Sequence, residues 1–129
     1  MSDSVKSFRD LRVWSESLRL VLNVYELSSM FPPAERYGLT AQMRRAAISV
    51  PSNIAEGHQR DSTKDFLRYL SIARGSLGEL ETQIELSQML GYLDEVSRGE
   101  HLELIGHINR QLRALQATLR RRLVGDAQR

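Results

Sequence analysis

The sequence predicts an all-α protein, an up-down-up-down antiparallel four-helix bundle. Apolar residues recur at the three-and-four spacing of a helix face over most of the 129 residues, and alternating strand patterns are almost absent. Turn residues divide this pattern into four long segments. Because the connections are short, we expect consecutive helices to lie antiparallel to each other. We assign residues 1–124 to a single domain and residues 125–129 to a flexible C-terminal tail.

The first helix is predicted to begin near Ser7, with Asp10 three residues later as its capping-box partner. Residues 31–33, Phe-Pro-Pro, end it because neither proline can donate a helical hydrogen bond. Its main apolar stripe is flanked by further apolar residues at 13, 20, 24 and 27. The residues of the main stripe are Leu11, Trp14, Leu18, Val21 and Tyr25.

The second helix is predicted over residues 34–56, with Gly57 as its C-terminal cap. Pro51 lies within this segment, where it removes one backbone hydrogen bond and crowds the carbonyl of Ala47. We therefore expect helix 2 to be kinked near Pro51.

A stripe of polar residues runs beside the apolar face of helix 2. Its members are Gln42, Arg45, Ser49, Asn53 and Glu56. One interpretation is a structural polar layer, in which Glu79 of the next helix holds the arginine and the serine and asparagine bond backbone groups freed near the proline. The other is a groove for a ligand or partner. We favour the structural interpretation, because no reactive group accompanies the stripe.

The third helix is predicted to begin at Ser62 and to end at Gly91, and the fourth to begin at Ser97 with Glu100 as its capping-box partner. The first and third helices are apolar over more than one stripe. Either each has a broad core face, or the surplus apolar surface forms an interface between subunits. Both interpretations stay open at this point.

Composition argues against several classes of protein. The chain has no cysteine, so a disulfide framework and a thiolate metal site are ruled out. No apolar run is long enough to suggest a signal peptide or a membrane span, so we expect a cytoplasmic protein with no membrane partner. No pair of Glu-x-x-His motifs for a di-iron site is present. Glu103 and His107, four residues apart, are interpreted as a surface contact. We expect no enzymatic activity, no cofactor and no metal.

Charge is distributed unevenly along the predicted bundle. The end formed by the start of helix 1, the turn between helices 2 and 3 and the finish of helix 4 has twelve basic and seven acidic residues. The opposite end has four basic and nine acidic residues. Helix-dipole complementarity explains this pattern for helix 4 but not for helix 3, whose glutamates crowd its C-terminal half.

A basic end of this kind can hold the phosphate backbone of RNA or DNA without reading its sequence. The candidate nucleic-acid-binding residues are Lys6, Arg9, Arg12, Arg60, Lys64, Arg113, Arg120, Arg121 and Arg122. The leading function is accordingly a nucleic-acid-associated scaffold. The alternative is an adapter that binds one specific protein and no nucleic acid.

Several short motifs follow one another along the chain. They are FRDLRVW at residues 8–14, FP at 31–32, YGL at 37–39, SVPSNIAEG at 49–57, ARGSLGELETQ at 73–83 and LGYL at 90–93. This pattern resembles the bacterial four-helix bundle family first described from proteins encoded within 23S rRNA intervening sequences. The accessory variability proteins of diversity-generating retroelements are similar.

The resemblance implies a closed four-helix bundle and a ring-like homopentamer. The retroelement proteins bind nucleic acid and a reverse transcriptase, so RNA or DNA and one protein partner are the partners that it implies besides the chain itself. It implies no set of catalytic residues.

Overall fold

A computed structural model describes residues 7–127 of the chain. It contains four α-helices, α1 (Arg12–Ser28), α2 (Leu39–His58), α3 (Thr63–Met89) and α4 (Glu95–Ala127), and no strand within the described residues. Short 3-10 turns at Phe8–Asp10 and Pro33–Glu35 precede α1 and α2. Each helix packs against the next, and α1 also packs against α4, so the predicted four-helix bundle is confirmed.

Hydrogen bonds between helices show the antiparallel order directly. Between α3 and α4, Gln116 bonds to Ser71 near the start of α3, and Arg98 bonds to Glu85 near its end. Residue numbers therefore rise along one helix as they fall along the other. The α2–α3 turn and the end of α4 consequently lie at the same end of the bundle, and Leu11 at the start of α1 lies there too, since it lines one cleft with Ser62 and Leu119.

One apolar face from each helix forms the core. The largest apolar side chains that are fully buried are Leu20, Val24, Met43, Val50, Ile54, Leu70, Leu77, Leu80, Ile84, Ile108 and Leu112. In α1 the sequence interpretation is wrong about the inner face. Leu18 and Tyr25 of the predicted main stripe are 39% and 40% exposed, whereas Leu20 and Val24, assigned to its flank, are completely buried.

The ends of α3 follow the sequence prediction. Ser62 caps the helix by accepting a hydrogen bond from the Asp65 N–H at 3.0 Å. At the other end Gly91 has a φ of +82°, which favours glycine. Tyr92 N donates to Ser87 O, and Gly91 N donates to the carbonyl of residue 88, both at 2.9 Å. This is the Schellman pattern of helix termination.

The starts of the other helices differ from prediction by a few residues. The capping box of Ser7 belongs to the 3-10 turn that precedes α1. Helix α2 begins at Leu39, five residues later than predicted, because residues 33–35 form a separate 3-10 turn. In α4 the Oδ1 atom of Asp94 accepts the Ser97 N–H at 2.8 Å, so the assignment of Ser97 as the cap is wrong.

The structure bears on the predicted kink in helix 2 and on the predicted C-terminal tail. Helix α2 runs without interruption through Pro51 to His58, and the kink near Pro51 stays a prediction. Helix α4 includes residues 125–127, which the sequence interpretation placed in a flexible tail, and residues 128–129 lie outside those described.

Gly57 lies inside α2 and does not cap it, contrary to prediction. An added Cβ at this position would lie 2.6 Å from the Tyr69 Cβ and 3.0 Å from the Phe66 Cδ1. The missing side chain therefore allows α3 to approach the backbone of α2 closely.

We expect Gly57→Ala to lower the free energy of unfolding by about 1–3 kcal/mol, because the new methyl group overlaps α3. Gly75→Ala is the matched control. Gly75 is exposed within α3, and a Cβ there meets no atom within 4 Å, so alanine should stabilise the helix by about 0.5–1 kcal/mol. Urea unfolding followed by circular dichroism measures both changes. Equal effects of the two substitutions would contradict the importance of the contact.

Candidate nucleic-acid interface

The fold gathers the predicted cations at one end of the bundle, which we call the basic end. Its members among the described residues come from the start of α1, the α2–α3 turn and the last turns of α4, and all are exposed. They are Arg9, Arg12, Arg60, Lys64, Arg68, Arg113, Arg120, Arg121 and Arg122. Lys6, also predicted to bind nucleic acid, lies outside the described residues.

Two of these cations are paired with carboxylates of their own helical segment. Arg12 Nε lies 3.1 Å from Glu16 Oε1, and Arg60 Nη2 lies 2.9 Å from Glu56 Oε2. The hydrogen bond to Glu56 raises the pKa of Arg60. The remaining seven have no ion pair with a carboxylate of residues 7–127.

Tyr69 organises the two arginines on either side of the α2–α3 turn. The Arg60 guanidinium lies 5.0 Å from the centre of the Tyr69 ring and donates to its hydroxyl at 2.6 Å. The Arg68 guanidinium lies 4.7 Å from the same ring. Cation–π contacts of this kind hold arginines without neutralising them.

A cleft of about 350 Å³ opens at the basic end, between the start of α1, the α2–α3 turn and α4. We call it the basic-end cleft. Its apolar walls are Leu11, Phe66, Leu115 and Leu119, and its polar lining consists of His58, Arg60, Asp61, Ser62, Thr63 and Arg122. The Phe66 and His58 rings are packed edge to face, with centroids 5.6 Å apart.

His107 belongs to a cluster that the sequence interpretation missed. Its Nε2 lies 2.6 Å from Glu16 Oε2 on α1, so the predicted surface contact with Glu103 is wrong. Gln111 Nε2 donates to Glu16 Oε1 at 3.0 Å. Burial alone would raise the pKa of Glu16, but the hydrogen bonds from Gln111 and His107 and the charges of His107 and Arg12 outweigh it and lower the pKa.

The polar stripe of α2 forms a much smaller cluster than predicted. Ser49 Oγ lies 2.7 Å from Ser76 Oγ, and Asn53 Nδ2 donates to the Ser49 carbonyl at 2.8 Å and to its hydroxyl at 2.9 Å. These three side chains are half-buried or buried. Pro51 frees the carbonyl of Ala47, whereas Asn53 donates to the carbonyl of Ser49. The prediction that Asn53 bonds the freed group is therefore wrong.

The rest of the predicted layer lies on the surface. Gln42, Arg45, Glu56 and Glu79 are exposed, and no ion pair joins Arg45 to Glu79 in the part of the chain that is described. Glu79 instead accepts a long hydrogen bond of 3.4 Å from Gln83. The prediction that Glu79 holds Arg45 is therefore wrong.

A partly buried polar network lies between α3 and α4. Arg74 donates to Asn109 Oδ1 at 3.0 Å and to Gln116 Oε1 at 3.1 Å, and Gln116 Nε2 donates to Ser71 Oγ at 3.0 Å. Gln116 is completely buried. The sequence could have indicated this burial, because Gln116 follows Leu112 by four residues and so lies on the apolar face of α4.

At the opposite end Arg98 and Arg44 are held by other groups. Arg98 binds Glu85 through two nitrogen–oxygen contacts, of which the Nη2–Oε2 contact measures 3.0 Å. Its hydrogen bond lowers the pKa of Glu85 and raises that of Arg98. Arg44 donates to Ser28 Oγ at 2.9 Å and lies over the Tyr25 ring.

Residues 7–127 lack the features of two further classes of protein. No helix there combines the length and apolar character that a membrane span requires. No group of three histidine, aspartate or glutamate side chains is arranged to hold a metal ion.

Fold and charge together define a four-helix bundle protein with cations concentrated at one end. The profile of the family described as 23S rRNA-intervening sequence protein matches residues 9–114, and the chain belongs to this family.

Solved structures support the same fold. A crystal structure of a protein with unknown function from the S23 ribosomal protein family of Bacteroides thetaiotaomicron has 24% sequence identity to this chain and a TM-score of 0.76. The match covers 81% of this chain and 95% of that one. None of the curated proteins is significantly similar to the chain in sequence.

We expect the Glu16 cluster to contribute stability that is lost in acid. Because the folded-state pKa of Glu16 lies below the unfolded value of 4.5, its contribution is present above that pH and disappears as pH falls through the folded-state pKa. Glu16→Gln should therefore cost about 1–2 kcal/mol at pH 7 and much less near pH 3. Urea unfolding at both pH values measures the difference, and a cost independent of pH would contradict this role.

Proposed function

We propose that the chain is a non-enzymatic, oligomeric scaffold that binds the phosphate backbone of RNA or DNA at its basic end, without a cofactor. The observation that carries the proposal is the contrast between the two ends. The basic end gathers nine exposed cations of residues 7–127, seven of them without an ion pair in that range, whereas the opposite end has only four arginines among nine acidic residues. Unpaired exposed cations are available to replace the counterions of a phosphate backbone.

The end of α4 is placed to extend this surface. Gln116 lies beside Leu67 of α3, and α3 begins four residues before Leu67. The residues of α4 after about 120 therefore run past the start of α3, for roughly 10 Å at the rise of an α-helix. The three arginines lie where α4 leaves the bundle, which gives a phosphate backbone access to them.

The proposed scaffold is a homo-oligomer. Apolar side chains are exposed on α1 and α2, where Leu22 is 69% and Ile48 is 41% exposed, and on α3, where Ile72 is 41% exposed. Two different apolar faces on one subunit suit the head-to-tail contacts of a ring. A pentamer is the ring that the family resemblance implies, and parallel subunits would collect their basic ends into one rim.

The absence of cysteine suits the reducing cytoplasm, where we propose that the protein acts. The family description refers to intervening sequences of 23S rRNA, which supports a setting close to RNA.

Replacing Arg120, Arg121 and Arg122 together by glutamine should abolish binding to RNA or DNA at about 150 mM salt. The loss of three cations should also reduce the slope of log affinity against log salt concentration by about three for any residual binding, about one for each lost phosphate contact. Fluorescence anisotropy with labelled oligonucleotides over a range of salt concentrations measures both effects.

The control removes three exposed arginines from elsewhere on the bundle, Arg19, Arg36 and Arg45, and so changes the net charge equally. Its binding should be close to that of the wild type. Equal losses in the two variants would show that net charge, and not the basic end, governs binding. Failure of the wild type to bind any nucleic acid at low salt would overturn the proposal.

Light scattering should give a mass several times that of the monomer, and five times for a pentamer. Leu22→Glu places a charge on the exposed apolar face of α1 and should lower the assembly state. Val96→Glu is the control, since Val96 is 71% exposed at the start of α4, away from these faces. A monomeric wild-type protein would reject the ring.

A protein-binding adapter is the second candidate, and one groove favours it. Between α1 and α2 the groove is walled mainly by apolar groups, including Trp14, Leu18, Val21, Ile48 and Pro51. Such a surface suits an apolar helix of a partner. Binding to a protein partner that persists when nucleic acid is removed by nuclease would favour this function.

A further inference from the structure

We infer that the basic-end cleft receives one unstacked base of a single-stranded nucleic acid, while Arg60 and Arg122 at its rim hold the neighbouring phosphates. The inference rests on the proposed function and specifies its substrate class. It predicts that single strands bind better than duplexes.

The walls of the basic-end cleft fit the flat face of a base better than a phosphate. Phe66 and Leu115 are only half-buried and line the cleft, and the buried Leu119 adds to its apolar lining. The volume of about 350 Å³ lies within the range of small-molecule sites. Backbone phosphates alone would need only charge, whereas base stacking needs an apolar and aromatic surface of this kind.

The polar lining provides partners for the edge of a base. His58, Ser62 and Thr63 carry groups that can donate or accept hydrogen bonds, and Asp61 can accept from an exocyclic amine. Asp61 is the single acidic residue in this lining, beside Arg60 and Arg122. The cleft is therefore suited to a neutral base next to a negatively charged backbone.

Arg60 is held in place with donors to spare. Its bonds to Glu56 and to the Tyr69 hydroxyl both use Nη2. The other nitrogens of this guanidinium have no acceptor within residues 7–127. Tyr69 is thus a positioning residue, and it reaches Arg60 because α2 and α3 approach closely at Gly57.

The geometry favours single strands because of the cost of exposing a base. A base in a duplex must be unpaired and unstacked before it can enter the cleft, whereas a base in a single strand is already accessible. A duplex would consequently contact only the cations at the rim.

The test compares three short labelled probes of equal length on the wild-type protein at about 50 mM salt. They are oligothymidylate, the same backbone with every base removed, and a duplex. The first two carry equal numbers of phosphates, so a site for phosphate alone must bind them equally. We expect oligothymidylate to bind about tenfold more tightly than the abasic strand and more tightly than the duplex.

Phe66→Leu should lower the affinity for oligothymidylate about tenfold and leave the abasic strand and the salt slope unchanged, because it removes a ring and no charge. Arg122→Gln should weaken all three probes and lower the salt slope by about one. Tyr37→Leu removes an aromatic ring that is 85% exposed at the opposite end and should change nothing. For each variant, the ratio of its affinities for oligothymidylate and for the abasic strand is measured on one preparation. Partial unfolding of a variant lowers both affinities equally and so does not change this ratio.

If oligothymidylate and the abasic strand bind equally, this inference is overturned. If binding of both is still lost when Arg120, Arg121 and Arg122 are replaced by glutamine, the proposed function stays intact. An equal effect of Phe66→Leu on both strands would also overturn the inference, since the ring would then act through structure alone. Absence of binding to all three probes would overturn both.

Discussion

The close packing of α2 against α3 is the constraint on which the other features depend. Gly57 leaves no room for a methyl group between itself and Tyr69, and Ser49 and Ser76 lie at hydrogen-bond distance. Small side chains at these contacts bring the two helix axes together, as ridge-into-groove packing requires. Because the α2–α3 turn follows directly, this contact also determines where Arg60 and the basic-end cleft are placed. Helices α1 and α4 then complete the core against this pair.

Electrostatics divides the bundle into two unlike ends. Glu85 and Arg98 pair across α3 and α4, and Tyr92 donates to Glu35 at 2.8 Å, so charged side chains at the end opposite the basic end link α3 to α4 and the turn after α3 to the turn before α2. Exposed pairs of this kind contribute little to stability, but they occupy the charges that take part. At the basic end the cations of α4 are left without carboxylates from residues 7–127. The local excess of exposed cations over acids at this end, more than the net charge of +2, makes it suitable for a polyanion.

Polar groups within the bundle are distributed differently from their pattern in the sequence. The regular stripe on α2 lies mostly on the surface. Within it Ser49 bonds to Ser76 on α3, Asn53 bonds to Ser49, and Glu56 pairs with Arg60 in the following turn. The polar network between α3 and α4 is built instead on Gln116, a buried amide among the apolar residues of α4, which bonds to Arg74 on α3. A half-satisfied network would be costly in a core, and here both polar atoms of the Gln116 amide have partners.

Sequence alone determined the four helices, the order of their packing and the gathering of arginines at one end, because periodicity and short connections fix which termini meet. The tertiary structure decided which face of α1 turns inward, since that helix is apolar on two sides and periodicity cannot choose between them. It also decided the partner of His107, the role of Gly57 and the existence of the basic-end cleft. These features depend on distances between residues far apart in the chain, and such distances are set only when four helices share one core.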